Sequence, residues 1–314
     1  MPSAGEHAAL PPVVFLVGPT GAGKSELATG LARRLNGEIV SADSRMLYRG
    51  FDIGTDKPSS AVRTVVPHHL IDVADPDRPW SLAEYQAAAL ECIAQIAARG
   101  RLAFCVGGTG QYIFALLEGW DIPPAPPSPA LRIRLEERAA AEGSAVLYGE
   151  LAGLDPDAAA KIDPRNVRRV IRALEVVLST GKSFSTQRMR KEVPFRPFLL
   201  GLNRPRPELY ARADARIDQM FASGWEEEVR ALLAKGYSPQ LPAFTALGYG
   251  SIVRHLLGEI TLEECVAEIR RATRILIRHQ ANWFRADDPQ IHWFTAAPDL
   301  EDRSEQFLRQ NFLS

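Results

Sequence analysis

The run Val13-Val14-Phe15-Leu16-Val17, followed by Gly18-Pro19-Thr20-Gly21-Ala22-Gly23-Lys24-Ser25, constrains this chain more than any other stretch. Five apolar, mostly β-branched residues read as a buried strand, and GPTGAGKS fits G-x-x-x-x-G-K-[ST] at every fixed position. Glycines let the backbone wrap tightly and turn several N–H groups towards one anion, and the helix opening at the loop's end adds its partial positive charge. Lys24 contributes a full charge, and the Ser25 hydroxyl is placed to hold a magnesium ion. Residues Gly18, Pro19, Thr20, Gly21, Ala22, Gly23, Lys24 and Ser25 are therefore expected to bind a polyphosphate or pyrophosphate.

Strand and helix patterns alternate from there. Leu27, Leu31 and Leu35 share a helical face, and Gly37 offers a stop. A strand over 38–41 delivers Ala42-Asp43-Ser44-Arg45-Met46-Leu47-Tyr48 to its carboxyl end, where open parallel sheets place their ligands, so Asp43 is expected to face the phosphate loop. Residues 68–73 read as a short strand. Residues 81–98 read as a helix, with Ser81 and Glu84 as a capping box. A buried strand over 101–106 ends in the glycine-rich turn Gly107-Gly108-Thr109-Gly110-Gln111-Tyr112. This alternation predicts an α/β fold with a P-loop NTPase-like parallel sheet core.

Five prolines within residues 121–129 break the pattern and read as a linker. Helical patterns follow at 130–142, 145–152, 157–162 and 166–178, then a strand at 198–202. Further helices are expected at 207–223, 225–235 and 262–286, with a last strand at 291–294. The expected organisation is a loose tail (1–12), the first part of the core (13–120), a linker with a helical insertion domain (121–197), and the rest of the core with a helical C-terminal part (198–314).

Lys and Arg number 37 against 38 Asp and Glu, so only local clusters can recognise a polyanion. Arg165, Arg168, Arg169 and Arg172 form one such cluster on a predicted helix. Arg270, Arg271, Arg274, Arg278, His279 and Arg285 form a second. Trp283, Phe284 and Tyr48 either fill the core or offer stacking surfaces for a base. Cys92, Cys105 and Cys265 are odd in number and form no C-x-x-C pair, which fits a reducing compartment, with the cytoplasm as default. No apolar run reaches the roughly 20 residues of a membrane span, so no membrane partner is expected.

Phosphate-loop kinases and hydrolases usually carry a metal-holding Asp after an apolar strand. The strand at 102–106 ends in Gly-Gly-Thr-Gly without one, leaving Asp43 and Asp72 as candidates. The pair His68-His69 lacks a third ligand at zinc spacing.

Eight ordered segments resemble one family, the dimethylallyl diphosphate:tRNA dimethylallyltransferases, also called tRNA isopentenyltransferases. They are GPTGAGKS, SADSRMLYRGFDIGTDKP, HHLIDV, VGGTGQY, RRVIRALEV, LYARADARIDQM, LGYGSI and TRILIRHQANWFR, spanning residues 13–285. The resemblance implies a phosphate loop that holds dimethylallyl diphosphate in place of ATP. It implies transfer of the five-carbon group to N6 of adenosine 37 of tRNA, beside the anticodon, with pyrophosphate leaving and Mg2+ bound at Ser25.

An exocyclic adenine amine is a weak nucleophile that must lose a proton as the C–N bond forms, and Asp43 is the carboxylate placed to take it. Negative charge growing on the leaving pyrophosphate calls for fixed cations: Lys24 and an arginine of the helical part. Arg212 and Arg216 lie one helical turn apart, and in the resemblance their segment carries the diphosphate-binding arginine. The resemblance gives Thr109 a contact with the acceptor. Asp43, Ser44, Arg45, Met46, Thr109 and the run Arg168-Arg169-Val170-Ile171-Arg172 are accordingly expected to touch the anticodon stem-loop.

The chain departs from the family pattern at Met46, where glutamine is typical, at Arg45, in GTDKP for GTAKP, and in RHQANWFR. The form resembled is the bacterial one, without a C-terminal Cys/His zinc module, and a monomer is expected. Two alternative enzymes are an adenylate isopentenyltransferase acting on free AMP or ADP and a P-loop nucleotide kinase. A regulatory phosphate-loop binding module is the non-catalytic alternative.

Overall fold

Val13–Val17 are wholly buried and form most of β1 (Pro12–Val17), a central strand of a six-stranded sheet. A computed structural model describes residues 10–122, 129–185 and 191–313. The other strands are β2 (Gly37–Ser41), β3 (His68–His69), β4 (Leu102–Val106), β5 (Arg196–Asn203) and β6 (Ile291–Thr295). They pair in the order β3-β2-β4-β1-β5-β6, and every pairing is parallel. Parallel sheets need both faces covered, which is why β1 and β4 read as continuous apolar runs without polar alternation. The α/β class and P-loop-type core expected from the sequence are present.

Helices α1 (Lys24–Arg34), α2 (Ser60–Val65), α3 (Leu82–Ala98) and α4 (Gly110–Leu117) belong to the first half of the chain. Then come α5 (Pro129–Glu142), α6 (Ser144–Leu154), α7 (Pro156–Ala159) and α8 (Val167–Thr180). The last group is α9 (Arg206–Ala222), α10 (Trp225–Ala234), α11 (Tyr249–Leu256), α12 (Leu262–Trp283) and α13 (Leu300–Asn311). None is long and apolar enough to cross a membrane among the described residues.

The chain forms two compact units. The larger draws its described residues from Met1–Trp80, Glu84–Leu117 and Val193–Ser314, the smaller from Ser81–Ala83 and Glu118–Glu192. In the larger, Val14 and Leu16 of β1 meet Leu27 and Leu31 of α1, Leu209 of α9 and Leu308 of α13 in one apolar cluster. A second cluster gathers Phe51, Trp225, Phe244, Tyr249 and Ile269. The smaller unit packs Leu135, Leu147, Leu151, Ile162 and Leu174 around its own core. There Glu175 is buried; burial pushes its carboxyl up, but hydrogen bonds from Arg132 and Arg172 outweigh this and hold it below the ordinary glutamate range.

Three local readings change. Asn36, at φ 49°, takes the left-handed position after α1, and Gly37 instead opens β2, where a Cβ would lie 2.6 Å from the Phe104 ring. The expected strand at 68–73 stops after His69 because Leu70 and Asp72 turn left-handed, at φ 60° and 58°. The glycine-rich turn is shorter than expected, since α4 begins at Gly110. Of the expected tail, residues 1–9 lie outside the described residues and Pro12 already pairs with Arg196. Residues 123–128 of the proline segment also lie outside them.

Candidate active site

The loops after β1, β2, β4 and β5 converge at the carboxyl ends of the strands, where an open parallel sheet leaves its crevice. Gly18 leaves β1 at φ +136°, and a Cβ there would lie 2.2 Å from the Leu202 carbonyl oxygen of β5. Gly23 is the N-cap of α1 at φ +103° with no side chain capping the helix, so the first N–H groups stay available to an anion. Ser25 is exposed in that first turn. Lys24 Nζ donates to Pro19 O at 2.9 Å. Burial first, then the positive charge of Arg216, push its ammonium down to about 8, while Asp43 and Asp56 oppose the shift. Two cations held this close are an electrostatic invitation to an anion.

Three arginines close on the loop. Arg212 of α9 donates through Nε to Gly21 O at 2.9 Å, and Arg204, just after β5, donates through Nε to Ala22 O at 3.1 Å. Arg216, one turn after Arg212, gives Nη1 to Asp56 Oδ2 at 2.9 Å, and its buried Nε has no hydrogen-bond partner among the described residues. An unpaired buried donor of this kind costs free energy until something accepts from it. Helix α9 is tied to α12 by Asp214–Arg274 at 2.6 Å and Asp218–Arg270 at 2.5 Å. Arg270 and Arg274, read from sequence as part of a basic stretch, therefore brace α9. Arg285 pairs with Asp287 at 2.7 Å, whereas Arg271, Arg278 and His279 are exposed.

On the other side of the phosphate loop, the ends of β2 and β4 are joined. Ala42 N donates to Val106 O at 2.7 Å, and Thr109 N donates to Ala42 O at 3.2 Å. This approach leaves no room at Gly107, whose Cβ would lie 2.2 Å from the Ala42 oxygen. Ser44 N donates to Thr109 Oγ1 at 3.1 Å, and Arg45 N donates to Asp43 Oδ1 at 2.8 Å, so Asp43 and Thr109 are set beside each other by the backbone between them. The Met46 sulfur accepts from the Ser41 hydroxyl at 3.8 Å, and Arg45 Nη1 reaches Pro242 O at 3.1 Å.

Other candidates lie elsewhere. Asp72, weighed as a metal ligand, is taken up by Lys57 at 2.6 Å and Arg63 at 2.7 Å. His69 Nε2 lies 2.6 Å from Glu38 Oε2, and His68 Nδ1 lies 2.7 Å from Val66 O. Tyr48 and Phe284 are core residues, while Trp283 is 42% exposed and keeps a usable face. In the smaller unit, Arg168 and Arg169 are exposed on the first turn of α8, and Arg172 pairs with Glu175 at 2.8 Å. Val170 and Ile171, expected to touch tRNA along with them, are buried in that unit's core and present no surface.

Three residues of the site went unread in the sequence: Arg204, Asp56 and Gln280. Gln280 is 5% exposed and follows Cys265, Ile269, Thr273 and Ile277 along the buried stripe of α12. A polar amide at a stripe position was the signal for it.

Relatives match most of this chain and most of their own length. The tRNA dimethylallyltransferase of Chloroflexus aurantiacus is 55% identical over 273 residues, covering 87% of this chain and 92% of its own. That of Thermomicrobium roseum is 51% identical over 304 residues, covering 95% and 92%. The crystal structure of a full-length tRNA isopentenylpyrophosphate transferase from Bacillus halodurans matches with a TM-score of 0.71 at 36% identity, over 96% of each chain. A eukaryotic dimethylallyltransferase crystallised acting on tRNA shares the fold, with a TM-score of 0.79 at 24% identity over 96% of this chain and 79% of its own. A family model described as IPP transferase matches residues 46–287, and with these relatives it shows that the chain belongs to the IPP transferase family.

Proposed function

We propose that this enzyme transfers the dimethylallyl group of dimethylallyl diphosphate to N6 of adenosine 37 in tRNA, releasing diphosphate. One observation supports the reading beyond family membership: Lys24 of the phosphate loop is held close to a second cation, Arg216, and to Asp43, which pairs with Thr109 through the backbone between them. Diphosphate belongs on the two cations and the acceptor adenine on the Asp43–Thr109 pair. The N6 lone pair attacks C1 of the dimethylallyl group, the C1–O bond breaks, and its electron pair leaves on the diphosphate. Asp43 accepts the proton released by N6.

Lys24, Arg212 and Arg216 supply positive charge where the leaving group gains negative charge, an effect larger in the transition state than in the ground state. Thr109 orients the acceptor, with Ser44, Arg45 and Met46 beside it. Arg168 and Arg169 contact the phosphates of the anticodon stem-loop. Adenine in a single-stranded loop leaves its stack at little cost.

Magnesium suits the donor set. The Ser25 hydroxyl is a hard oxygen donor, and among the described residues no group of three or more His, Cys, Asp or Glu side chains stands ready to cage a metal. Such a site fits an ion that keeps several waters and is completed by substrate phosphates. Ser25 would hold it, and it would neutralise charge on the departing diphosphate. A monomer working in the cytoplasm, where tRNA is matured, completes the reading.

The AMP-directed and kinase alternatives are not favoured, since the relatives are tRNA dimethylallyltransferases. Diphosphate release separates them in one assay. Release that requires both dimethylallyl diphosphate and tRNA is expected, and phosphoryl transfer from ATP in the absence of a prenyl donor would overturn the reading.

A further inference from the structure

Gln280 sits where the two halves of the site meet. Its Oε1 accepts from Thr20 N of the phosphate loop at 2.7 Å, and its Nε2 donates to Gly108 O of the glycine loop at 3.3 Å. The partners fix the amide's orientation, because an N–H needs the oxygen and a carbonyl needs the NH2. The contact is close: a Cβ on Gly108 would lie 2.2 Å from Gln280 Nε2. One turn on, Trp283 covers Gly110 just as closely, and its ring lies 5.6 Å from that of Phe114 in α4. The last turns of α12 thus clamp the loop that carries Thr109, while one side chain of the same helix holds the loop that carries Lys24.

We infer that Gln280 is a positioning residue that sets the register between the donor loop and the acceptor loop. The inference rests on the transfer reaction proposed above. Thr20 belongs to the phosphate loop and Gly108 to the loop that carries Thr109, so what Gln280 sets is the spacing between the two loops. β1 and β4 already fix the strands beneath, through pairs such as Leu16 with Val106. Beyond those pairs the loops leave the ladder, and the amide cross-links them. A displacement of about 1 Å between reacting atoms costs on the order of 100-fold in rate.

Gln280→Met keeps length and bulk while removing both hydrogen bonds, and Gln280→Glu keeps an acceptor for Thr20 N while losing the donor to Gly108 O. Both are checked for folding by thermal melting. In each, kcat for dimethylallyl transfer is expected to fall about 100-fold, with KM for donor and for tRNA changed less than about threefold. A second measurement needs no turnover: hydrogen exchange with and without inorganic pyrophosphate. In the parent, pyrophosphate slows exchange in the phosphate loop and also in residues 107–110; in Gln280→Met the slowing stays in the phosphate loop. Parent-like kcat in both variants, a rise in KM alone, or undiminished coupling to 107–110 would overturn the inference and leave the proposed reaction standing. A parent that binds no pyrophosphate and modifies no tRNA would remove the reaction and the inference together.

Discussion

Asp56 holds Arg216 at 2.9 Å through Nη1 while the Arg216 Nε lies buried with no acceptor among the described residues. The aspartate thus occupies part of the charge that a diphosphate would otherwise meet. Both side chains are partly exposed, at 53% for Asp56 and 31% for Arg216. Solvent screening limits such a pair to about 1 kcal/mol or less. Asp56→Ala is expected to tighten pyrophosphate binding by up to about fivefold, measured by calorimetric titration. Weaker binding would mean that Asp56 aims Arg216 and does not compete for it.

Lys24 gives the donor site a pH dependence. Its ammonium is pushed down to about 8 in the protein without anion, so above that pH the free site loses a proton that diphosphate binding requires. Dimethylallyl diphosphate loses its last phosphate proton at about pH 6, as a phosphate monoester does, so the ligand itself is constant in this range. Affinity is expected to be greatest near pH 7, where the ligand is fully ionised and Lys24 still charged, and to weaken about tenfold per pH unit well above 8. Lys24→Met should bind about 10- to 100-fold more weakly and should lose the pH dependence above pH 7. An unchanged pH profile in Lys24→Met would assign the titration to another group.

Asp43→Asn retains the acceptor for Arg45 N through its side-chain oxygen but cannot take up a proton. Turnover is expected to fall by about 10²- to 10⁴-fold with donor and tRNA affinity preserved. Near-parental turnover at neutral pH would move the base elsewhere.

Arg168 and Arg169 are exposed, while Val170 and Ile171 beside them are buried. Replacing both arginines with alanine should weaken tRNA binding and reduce the slope of log affinity against log salt by about 1.4 to 1.8. The donor KM should not change. A salt slope equal to the parent's would place the tRNA backbone on other cations.

The centre of the sheet was legible because β1, β2 and β4 are buried on both faces, and the phosphate loop because the fixed positions of its motif are geometrically demanding. The position of Asp43, just after β2 and beside Thr109, was legible from the strand that precedes it. What stayed hidden depended on partners distant in sequence. Arg270 and Arg274 read as basic surface until Asp218 and Asp214 appear opposite them on α9. Gln280 looked like one more polar residue in a charged helix, because Thr20 and Gly108 are 260 and 172 positions away. Gly37 was read as a helix stop by local preference, yet the approach of Phe104 requires glycine there and Asn36 makes the turn.

The central claim is tested most directly by following label from radioactive dimethylallyl diphosphate, with magnesium present, into unmodified tRNA and into AMP in parallel. Label in tRNA alone, recovered on digestion as N6-dimethylallyladenosine from position 37, is the predicted result. Label in AMP alone, or in neither acceptor, would contradict it.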